Sequence, residues 1–280
     1  MRKHAAITAV AVALSVTAGA AMAKDWTSVR IATEGAYPPW NSTDSSGKLI
    51  GFEVDLANDL CQRMQVECEI VAQNWDGIIP ALTAGKYDAI MAGMSITDER
   101  MQVISFSDSY ASEPAYFAVL KDSDLAAYKG DLEQANLDEV DDAEQAAIDS
   151  LKEALDGMTV GVQVATTHAN FLDQYLSDAV EIRAYDTQEN LDLDLEAGRV
   201  DAALASASYW YPLMQTEKGA DFTLIGPGLD GGPFGRGVGV GIRQEDTDLV
   251  EKFNKAIGEA KADGTINRLA QEWFGFDMAS

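Results

Sequence analysis

The sequence predicts an α/β protein of two lobes, each a mostly parallel sheet flanked by helices, with a ligand cleft between the lobes. Segments of strand and helix character alternate along the chain, which is typical of βαβ units and of sheets covered on both faces. A polar, acid-rich segment at 121–156 interrupts the alternation, which then restarts. A glycine-rich stretch at 226–242 leads to two terminal helices. In such folds, ligands bind at the carboxyl ends of the strands.

The first unit is predicted to follow the order strand, helix, strand, helix, strand. Its longer helix is indicated by apolar residues that recur at spacings of three and four, which places them on one helical face. These residues are Val54, Ala57, Leu60, Cys61 and Met64. The predicted strands are 29–33, 69–72 and 88–91, and the predicted helices are 53–64 and 77–83.

The second unit repeats this alternation after the acid-rich segment, which we interpret as a surface insertion with a helix at 142–155. A strand at 116–120 precedes the insertion. The strands predicted beyond it are 159–163, 180–185, 200–205 and 222–225, and the helices are 167–176, 189–197, 246–262 and 265–274.

The amino terminus and the charge limit the possible functions. Arg2 and Lys3 precede a small-residue apolar stretch at 5–20, and residues 21–23 (AMA) fit a cleavage site. Residues 1–23 are therefore predicted to be a signal peptide, and the rest is expected to be an exported, soluble protein. The chain has 20 basic and 46 acidic residues, a formal net charge of −26. This excess of acids argues against nucleic acid and anionic membrane surfaces as partners.

The two cysteines, Cys61 and Cys68, favour a disulfide. In an exported protein, an even pair that closes a short loop is typical of a bridge. A metal site needs more ligands, and His168 is the only histidine outside the leader. We therefore expect neither a metal nor a cofactor. The chain also lacks GxSxG, Walker-loop and HExxH motifs, so we expect a binding protein rather than an enzyme.

Arg100 stands where a helix is expected to begin, after Thr97 and Asp98. A cation at a helix N-terminus opposes the macrodipole, which favours anions there. The position is explained if the guanidinium holds an anion, and its planar fork suits a carboxylate. The alternative is an ion pair with Asp98, Glu99 or Asp108.

Six segments together resemble one family. They are VRIATEGAYPPW (29–40), GFEVDLANDLCQRMQVEC (51–68), the run from Trp75 to Arg100, VGVQVATTHANF (160–171), GRVDAALAS (198–206) and KADGTINRLAQEWF (261–274). In order and spacing, they resemble the bacterial periplasmic solute-binding proteins for polar amino acids, which feed ATP-driven importers. The cysteine pair is similar to that of the lysine/arginine/ornithine- and histidine-binding branch. The 72–97 run and the acidic insertion are similar to the octopine- and nopaline-binding branch, which the insertion favours.

The resemblance implies the two-lobed periplasmic-binding-protein fold, in which the second lobe closes over a ligand held on the first. Residues 24–116 and 236–280 would form the first lobe and 117–235 the second, with hinge strands near 115–120 and 230–237. The resemblance also implies a periplasmic monomer that delivers its ligand to the transmembrane permease subunits of an ABC transporter.

The resemblance assigns residues to the carboxylate end of an amino-acid ligand. Arg100 would receive the α-carboxylate, with Ser95 and the backbone near Gly93 as further donors. Thr167 would meet the same carboxylate from the closing lobe. The alternative is that Thr166 and Thr167 only cap a helix.

Other residues would hold the ligand's side chain. Tyr37 and Trp75 would sandwich it, since a guanidinium between two rings gains cation–π energy of ~0.5–2 kcal/mol from each. Glu34 would meet the distal cation, and Gln163, which ends the strand at 159–163, completes the set. The alternatives are core packing for the two aromatics and a surface position for Glu34.

Position 206 departs from the family pattern, because an aspartate that usually fixes the ligand's α-ammonium is replaced by Ser206. A serine leaves space for a substituent on that nitrogen, and Ala92 and Gly93, in place of larger hydroxyl residues, widen the pocket. His168 matches a position at the ligand's edge and would bond the added group; the alternative is a surface histidine. We therefore expect the substrate-binding component of an ABC importer for basic amino acids or their opine derivatives, namely arginine, ornithine, lysine, octopine or nopaline.

Two other functions stay open. An exported cyclohexadienyl (prephenate/arogenate) dehydratase has the same fold and needs a general acid, for which Glu34 is the candidate. A sensory binding protein would instead present its ligand-bound lobes to a receptor.

Overall fold

The computed structural model describes residues 24–278 and shows two α/β lobes that face each other across a cleft, as predicted. Residues 1–23, where the signal peptide is predicted, lie outside the described residues. Within residues 24–278, no helix combines the length and the apolar character needed to cross a bilayer.

The first lobe begins with elements close to those expected from the sequence, plus several short strands. The strands are β1 (Ser28–Thr33), β2 (Ala36–Tyr37), β3 (Asn41–Thr43), β4 (Leu49–Ile50), β5 (Glu67–Ala72), β6 (Ala89–Ile90) and β7 (Ile104–Phe106). The helices are α1 (Phe52–Met64), α2 (Ile78–Thr83) and α3 (Asp98–Met101), with a 3₁₀ turn at Trp75–Gly77.

The second lobe contains the restarted alternation. Its strands are β8 (Ala115–Leu120), β9 (Gln134–Asn136), β10 (Thr159–Gln163), β11 (Glu181–Tyr185), β12 (Ala202–Ser206) and β13 (Phe222–Asp230). Its helices are α4 (Asp142–Ala154), α5 (Thr167–Phe171), α6 (Gln188–Glu196) and α7 (Ala207–Leu213). The chain then returns to the first lobe as β14 (Gly241–Arg243), α8 (Thr247–Ala262) and α9 (Thr265–Trp273).

Each sheet has the predicted parallel βαβ core and also contains antiparallel strands. The first has the order β5-β1-β6-β14-β7, in which β1 is parallel to β5 and β6, but β14 is antiparallel to both of its neighbours. The second has the order β11-β10-β12-β8-β13-β9, and β8 is antiparallel to β12 and β13. The chain crosses between the lobes next to β8 and β14. These two strands therefore enter their sheets in the direction opposite to that of the βαβ core. The exact lobe and hinge boundaries stay predictions.

Helix α1 carries the core of the first lobe. Phe52, Leu56 and Leu60 are fully buried against the apolar faces of α8 and α9. The turn before α1 requires Gly51, because its φ is +130° and a Cβ there would lie 2.5 Å from the carbonyl oxygen of Trp40. At the other end of α1, the expected disulfide between Cys61 and Cys68 is present and joins the helix to β5.

The acidic segment at 121–156 is not only a surface insertion. Strand β9 pairs with β13 and adds an edge to the second sheet. Helix α4 turns Ile148 and Leu151 into the core of the second lobe. The prediction of a surface insertion was wrong for these residues, because a narrow apolar stripe is enough to dock a helix whose other positions are acidic.

Other element predictions also need correction. The strand predicted at 222–225 extends to Asp230, so the glycine-rich crossover is shorter than expected. The helix predicted at 167–176 changes from α to π geometry at Leu172. The small sheet β2-β3-β4 was not predicted, because two- and three-residue strands are too short to show a period.

Candidate functional site

One cavity in the cleft brings together all eleven residues predicted to bind a ligand. They are Glu34, Tyr37, Trp75, Ala92, Gly93, Ser95, Arg100, Gln163, Thr167, His168 and Ser206. The first seven follow or belong to elements of the first lobe, and the last four lie at the ends of β10 and β12 and at the start of α5. Their role in binding stays a prediction, and their common lining of one cavity is its structural support.

Arg100 lies in the first turn of α3, where its N–H is accepted by the side chain of Thr97 at 3.2 Å. Its guanidinium donates to two carbonyl oxygens, those of Ser95 at 2.9 Å and Ala165 at 3.2 Å. The guanidinium carbon is 5.3 Å from the centre of the Trp75 ring. Arg100 therefore joins elements on both sides of the cleft.

The guanidinium of Arg100 has no ionic partner in the described part of the chain. The alternative ion pairs are not formed: Asp98 pairs instead with Arg236 at 3.0 Å, and no carboxylate lies within 4.0 Å of Arg100 between residues 24 and 278. Burial lowers the pKa of Arg100 to about 10. A guanidinium has five N–H donors, and the two carbonyl contacts leave others available to an anion.

The threonines at the start of α5 have different roles. Thr166 is the cap, because its hydroxyl accepts from the N–H of Ala169 at 3.1 Å and donates to the carbonyl of Gln163 at 2.7 Å. Thr167 is buried, lines the cavity and is the first residue of the helix. The capping alternative therefore applies to Thr166 and not to Thr167.

Glu34 and Gln163 meet across the cleft. The side-chain amide of Gln163 donates to Glu34 at 2.7 Å. Glu34 directly follows β1 and is 8% exposed, so it is not a surface acid. Burial raises the pKa of Glu34 to about 7, and the bond from Gln163 only partly opposes this. A buried carboxylate of this kind suits a cationic group, which would restore its ordinary acidity.

Two aromatic residues line the cavity on the first lobe's side. Tyr37 stacks on Tyr209 of α7 with ring centres 4.8 Å apart, so one of its faces already has a partner. The indole N–H of Trp75 donates to the carbonyl of Ala165 at 3.3 Å. Trp75 and Tyr37 also pack against buried neighbours. Each residue therefore belongs to the core and lines the cavity at the same time.

His168 is half-buried beside Phe234, with ring centres 5.8 Å apart, and is not a surface histidine. Burial and the nearby charge of Arg100 lower the pKa of His168 to about 3. The imidazole is therefore neutral near pH 7, with one nitrogen able to donate and one able to accept.

The N–H of Gly93 itself already has a partner, and a ligand donor from the backbone near Gly93 stays a prediction. That N–H donates to the buried carboxyl of Glu53 at 2.7 Å. Glu53 also accepts from the hydroxyl of Tyr110 and, at 2.9 Å, from the amide of Asn41. These bonds hold the chain at Gly93, whose φ is +61°, against the wall of the cavity.

Glu113 lines the cavity and was missed by sequence reasoning. Both of its oxygens accept from Ser208, one from the N–H and one from the hydroxyl, each at 2.6 Å. Burial raises the pKa of Glu113 to about 7. It lies in a loop with no motif around it, in a chain with 46 acidic residues, so nothing in the sequence distinguished it.

Residues 24–278 contain no cluster of three or more histidine, cysteine or acidic side chains that could hold a metal ion. The cavity brings together a guanidinium that has no carboxylate partner among the described residues and two carboxyl groups with raised pKa values. Such an arrangement can bind a small molecule that carries both an anionic group and cationic nitrogen.

Comparisons with known proteins agree with this arrangement. The family described as bacterial extracellular solute-binding proteins, family 3, matches residues 29–276. The octopine-binding periplasmic protein of Rhizobium meliloti is 44% identical over 95% of this chain and 96% of its own. The lysine/arginine/ornithine-binding periplasmic protein of Escherichia coli (strain K12) is 39% identical over 99% of both chains.

Solved structures show the same fold. An ancestral arginine-binding protein bound to arginine has a TM-score of 0.74 at 31% identity, covering 89% of this chain and 99% of that one. A periplasmic His/Glu/Gln/Arg/opine family-binding protein from Silicibacter pomeroyi, in complex with lysine, has a TM-score of 0.71 at 36% identity, covering 90% and 99%. The chain therefore belongs to the bacterial extracellular solute-binding proteins of family 3.

Proposed function

We propose that this protein captures a basic amino acid or its opine derivative in the periplasm and delivers it to the permease subunits of an ABC importer. The observation that carries the proposal is the opposite chemistry of Arg100 and Glu34 in one cavity. Arg100 has donors available for a carboxylate, and Glu34 is a buried acid that lacks a cation within 4.0 Å in the described chain. Arginine, ornithine, lysine, octopine and nopaline all carry both complementary groups.

Lobe closure is the proposed mechanism of capture. The carboxylate would bind Arg100 on the first lobe and then the start of α5, with Thr167, on the second. At the other end, Gln163 already spans the cleft to Glu34. Binding energy gained from both lobes favours the closed state, since a ligand shifts an equilibrium by its differential affinity for the two states.

An opine is favoured over a plain amino acid by the wall at Ser206. Ser206, Ala92 and Gly93 are all small and all line the cavity. They leave room for the second carboxylate-bearing substituent that an opine carries on its nitrogen. The names of the relatives, one for octopine and one for lysine, arginine and ornithine, support the same range of ligands.

A thermal-shift panel of arginine, lysine, ornithine, histidine, octopine and nopaline tests the proposal. A ligand that binds only the native state adds about 2.7 kcal/mol of stability at 100 times its Kd. We expect octopine and arginine to raise the Tm, and agmatine, which lacks the carboxylate, to leave it unchanged. A flat response to the whole panel would refute the proposal. Turnover of arogenate by the same sample would instead support a dehydratase.

A further inference from the structure

Glu113 lies between the residues that position Arg100 and the small residue at position 206. Val238 bridges both Ala111 and Ser95, and Ser95 supplies the carbonyl that accepts from Arg100. On the other side of Glu113, Ala115 pairs with Ser206. The segment 111–115 therefore places Glu113 between the anchor of Arg100 and the small wall at position 206.

The hydrogen bonds around Glu113 suit an ionised carboxylate. The indole N–H of Trp40 donates to the hydroxyl oxygen of Ser208 at 2.7 Å. An indole can only donate, so the single proton of the Ser208 hydroxyl is directed to Glu113, at 2.6 Å. The N–H of Ser208 donates to the other oxygen of Glu113 at 2.6 Å. Both oxygens thus accept, as they do in an anion.

Within the described residues, no protein cation balances this carboxylate. Between residues 24 and 278, no lysine, arginine or histidine nitrogen lies within 4.0 Å of Glu113. Burial raises the pKa of Glu113 to about 7, and burial, with a smaller contribution from the negative charge of Glu113, raises the pKa of the neighbouring Tyr37. The site therefore holds the donors for an anion and lacks its counter-charge, which a bound cation would supply.

We infer that Glu113 is the counter-ion for the cationic nitrogen next to the ligand's carboxylate, and that it takes the place of an acid at position 206. This inference rests on the proposed function and specifies the ligand further. A carboxylate held at 113 binds the nitrogen from one side, and Ser206 leaves the other side open. The site then accepts a secondary ammonium, which carries a second substituent, as well as a primary one.

Calorimetry with arginine and argininic acid tests the inference, because argininic acid has a hydroxyl in place of the α-ammonium. Removing one partner of a buried charge pair costs about 2–5 kcal/mol, and each 1.4 kcal/mol is about tenfold in Kd. We expect Glu113→Gln to weaken arginine and octopine roughly 30-fold or more and argininic acid less than about threefold. The control is Glu189→Gln, an exposed acid near the cavity that does not line it.

The outcomes separate the inference from the proposed function. If no ligand of the thermal-shift panel binds the unaltered protein, the proposed function fails. If arginine binds the unaltered protein and Glu113→Gln weakens arginine and argininic acid equally, or weakens neither of them, then Glu113 is only structural and the inference is wrong.

A second measurement needs no variant, should Glu113→Gln not unfold cooperatively. Binding of arginine at pH 6.5 should release more protons than binding of argininic acid, measured in two buffers of different ionisation enthalpy. The two ligands differ only at the nitrogen in question, so the difference belongs to the group beside it. Equal proton release would overturn the inference.

Discussion

Replacing Arg100 with alanine should abolish capture without harming the fold. The guanidinium uses two of its donors on the carbonyls of Ser95 and Ala165 and has no carboxylate within 4.0 Å in the described chain. In the ligand-free protein, it is a cation whose pKa burial lowers to about 10, so the folded state disfavours its charge. Arg100→Ala removes that unfavourable charge, and we expect the Tm without ligand to stay the same or rise.

The loss of binding can be estimated from the same geometry. A ligand carboxylate that pairs with Arg100 would be left in the cleft without its charge partner. Such truncations typically cost about 2–5 kcal/mol, which corresponds to a loss of roughly 30-fold to several thousandfold in affinity. Arg100→Lys should recover only part of it, since an ammonium cannot donate two parallel bonds to a carboxylate.

Differential scanning fluorimetry and calorimetry with arginine and octopine provide the measurement. The matched control is Arg268→Ala, which removes an exposed arginine from an i,i+4 pair with Glu272. An exposed pair of this kind contributes about 0.3–0.5 kcal/mol, so ligand affinity should not change. Octopine affinity within about twofold of the unaltered protein in Arg100→Ala would refute the assignment of the carboxylate to this residue.

Four further predictions follow from the cavity and the core. Ser206→Asp should weaken octopine relative to arginine in competition calorimetry, because the larger side chain fills the space for the second substituent. Argininic acid should bind more weakly at pH 6 than at pH 8, since Glu34, with a pKa of about 7, loses its charge as the pH falls, and Glu34→Gln should flatten this dependence. Burial raises the pKa of Glu53 from 4.5 to about 7, so the folded state takes up a proton before the unfolded state does. The ligand-free Tm should therefore rise as the pH falls from 7.5 to 5.5, and less so in Glu53→Gln. Cys61→Ser with Cys68→Ser should cost about 2–3 kcal/mol in urea unfolding, the loop entropy of a short bridge.

The long periodic elements could be predicted from the sequence. The apolar spacing placed a helix at 53–64, and the structure has it at Phe52–Met64. The direction of β14 could not be predicted, because it depends on where the chain returns after the second lobe. Helix α4 was predicted, but its burial was not, because its buried stripe is short and its other residues are mostly polar.

The residues of the candidate site also divide into those that the sequence could predict and those that it could not. For residues that follow strand ends or belong to motifs, such as Glu34 and Arg100, a position in the cavity wall could be predicted, and their role in binding stays a prediction. The position of Glu113 could not be predicted, because its environment comes from Ser208 and, through it, Trp40, which are distant in sequence. Composition and local pattern do not carry that information. The hydrogen-bond partner of the Gly93 N–H could not be predicted for a similar reason, since Glu53 lies 40 residues away from it.

The carbonyl of Ala165 receives hydrogen bonds from both Trp75 and Arg100 across the cleft. Trp40 and Ser208 make another such bond, and Asn170 and Glu99 a further one at 3.3 Å. All of these hydrogen bonds are between protein groups, so they do not depend on which ligand is bound. The closed form would then present the same surface for every ligand, and one permease would accept several ligands by recognising that surface alone.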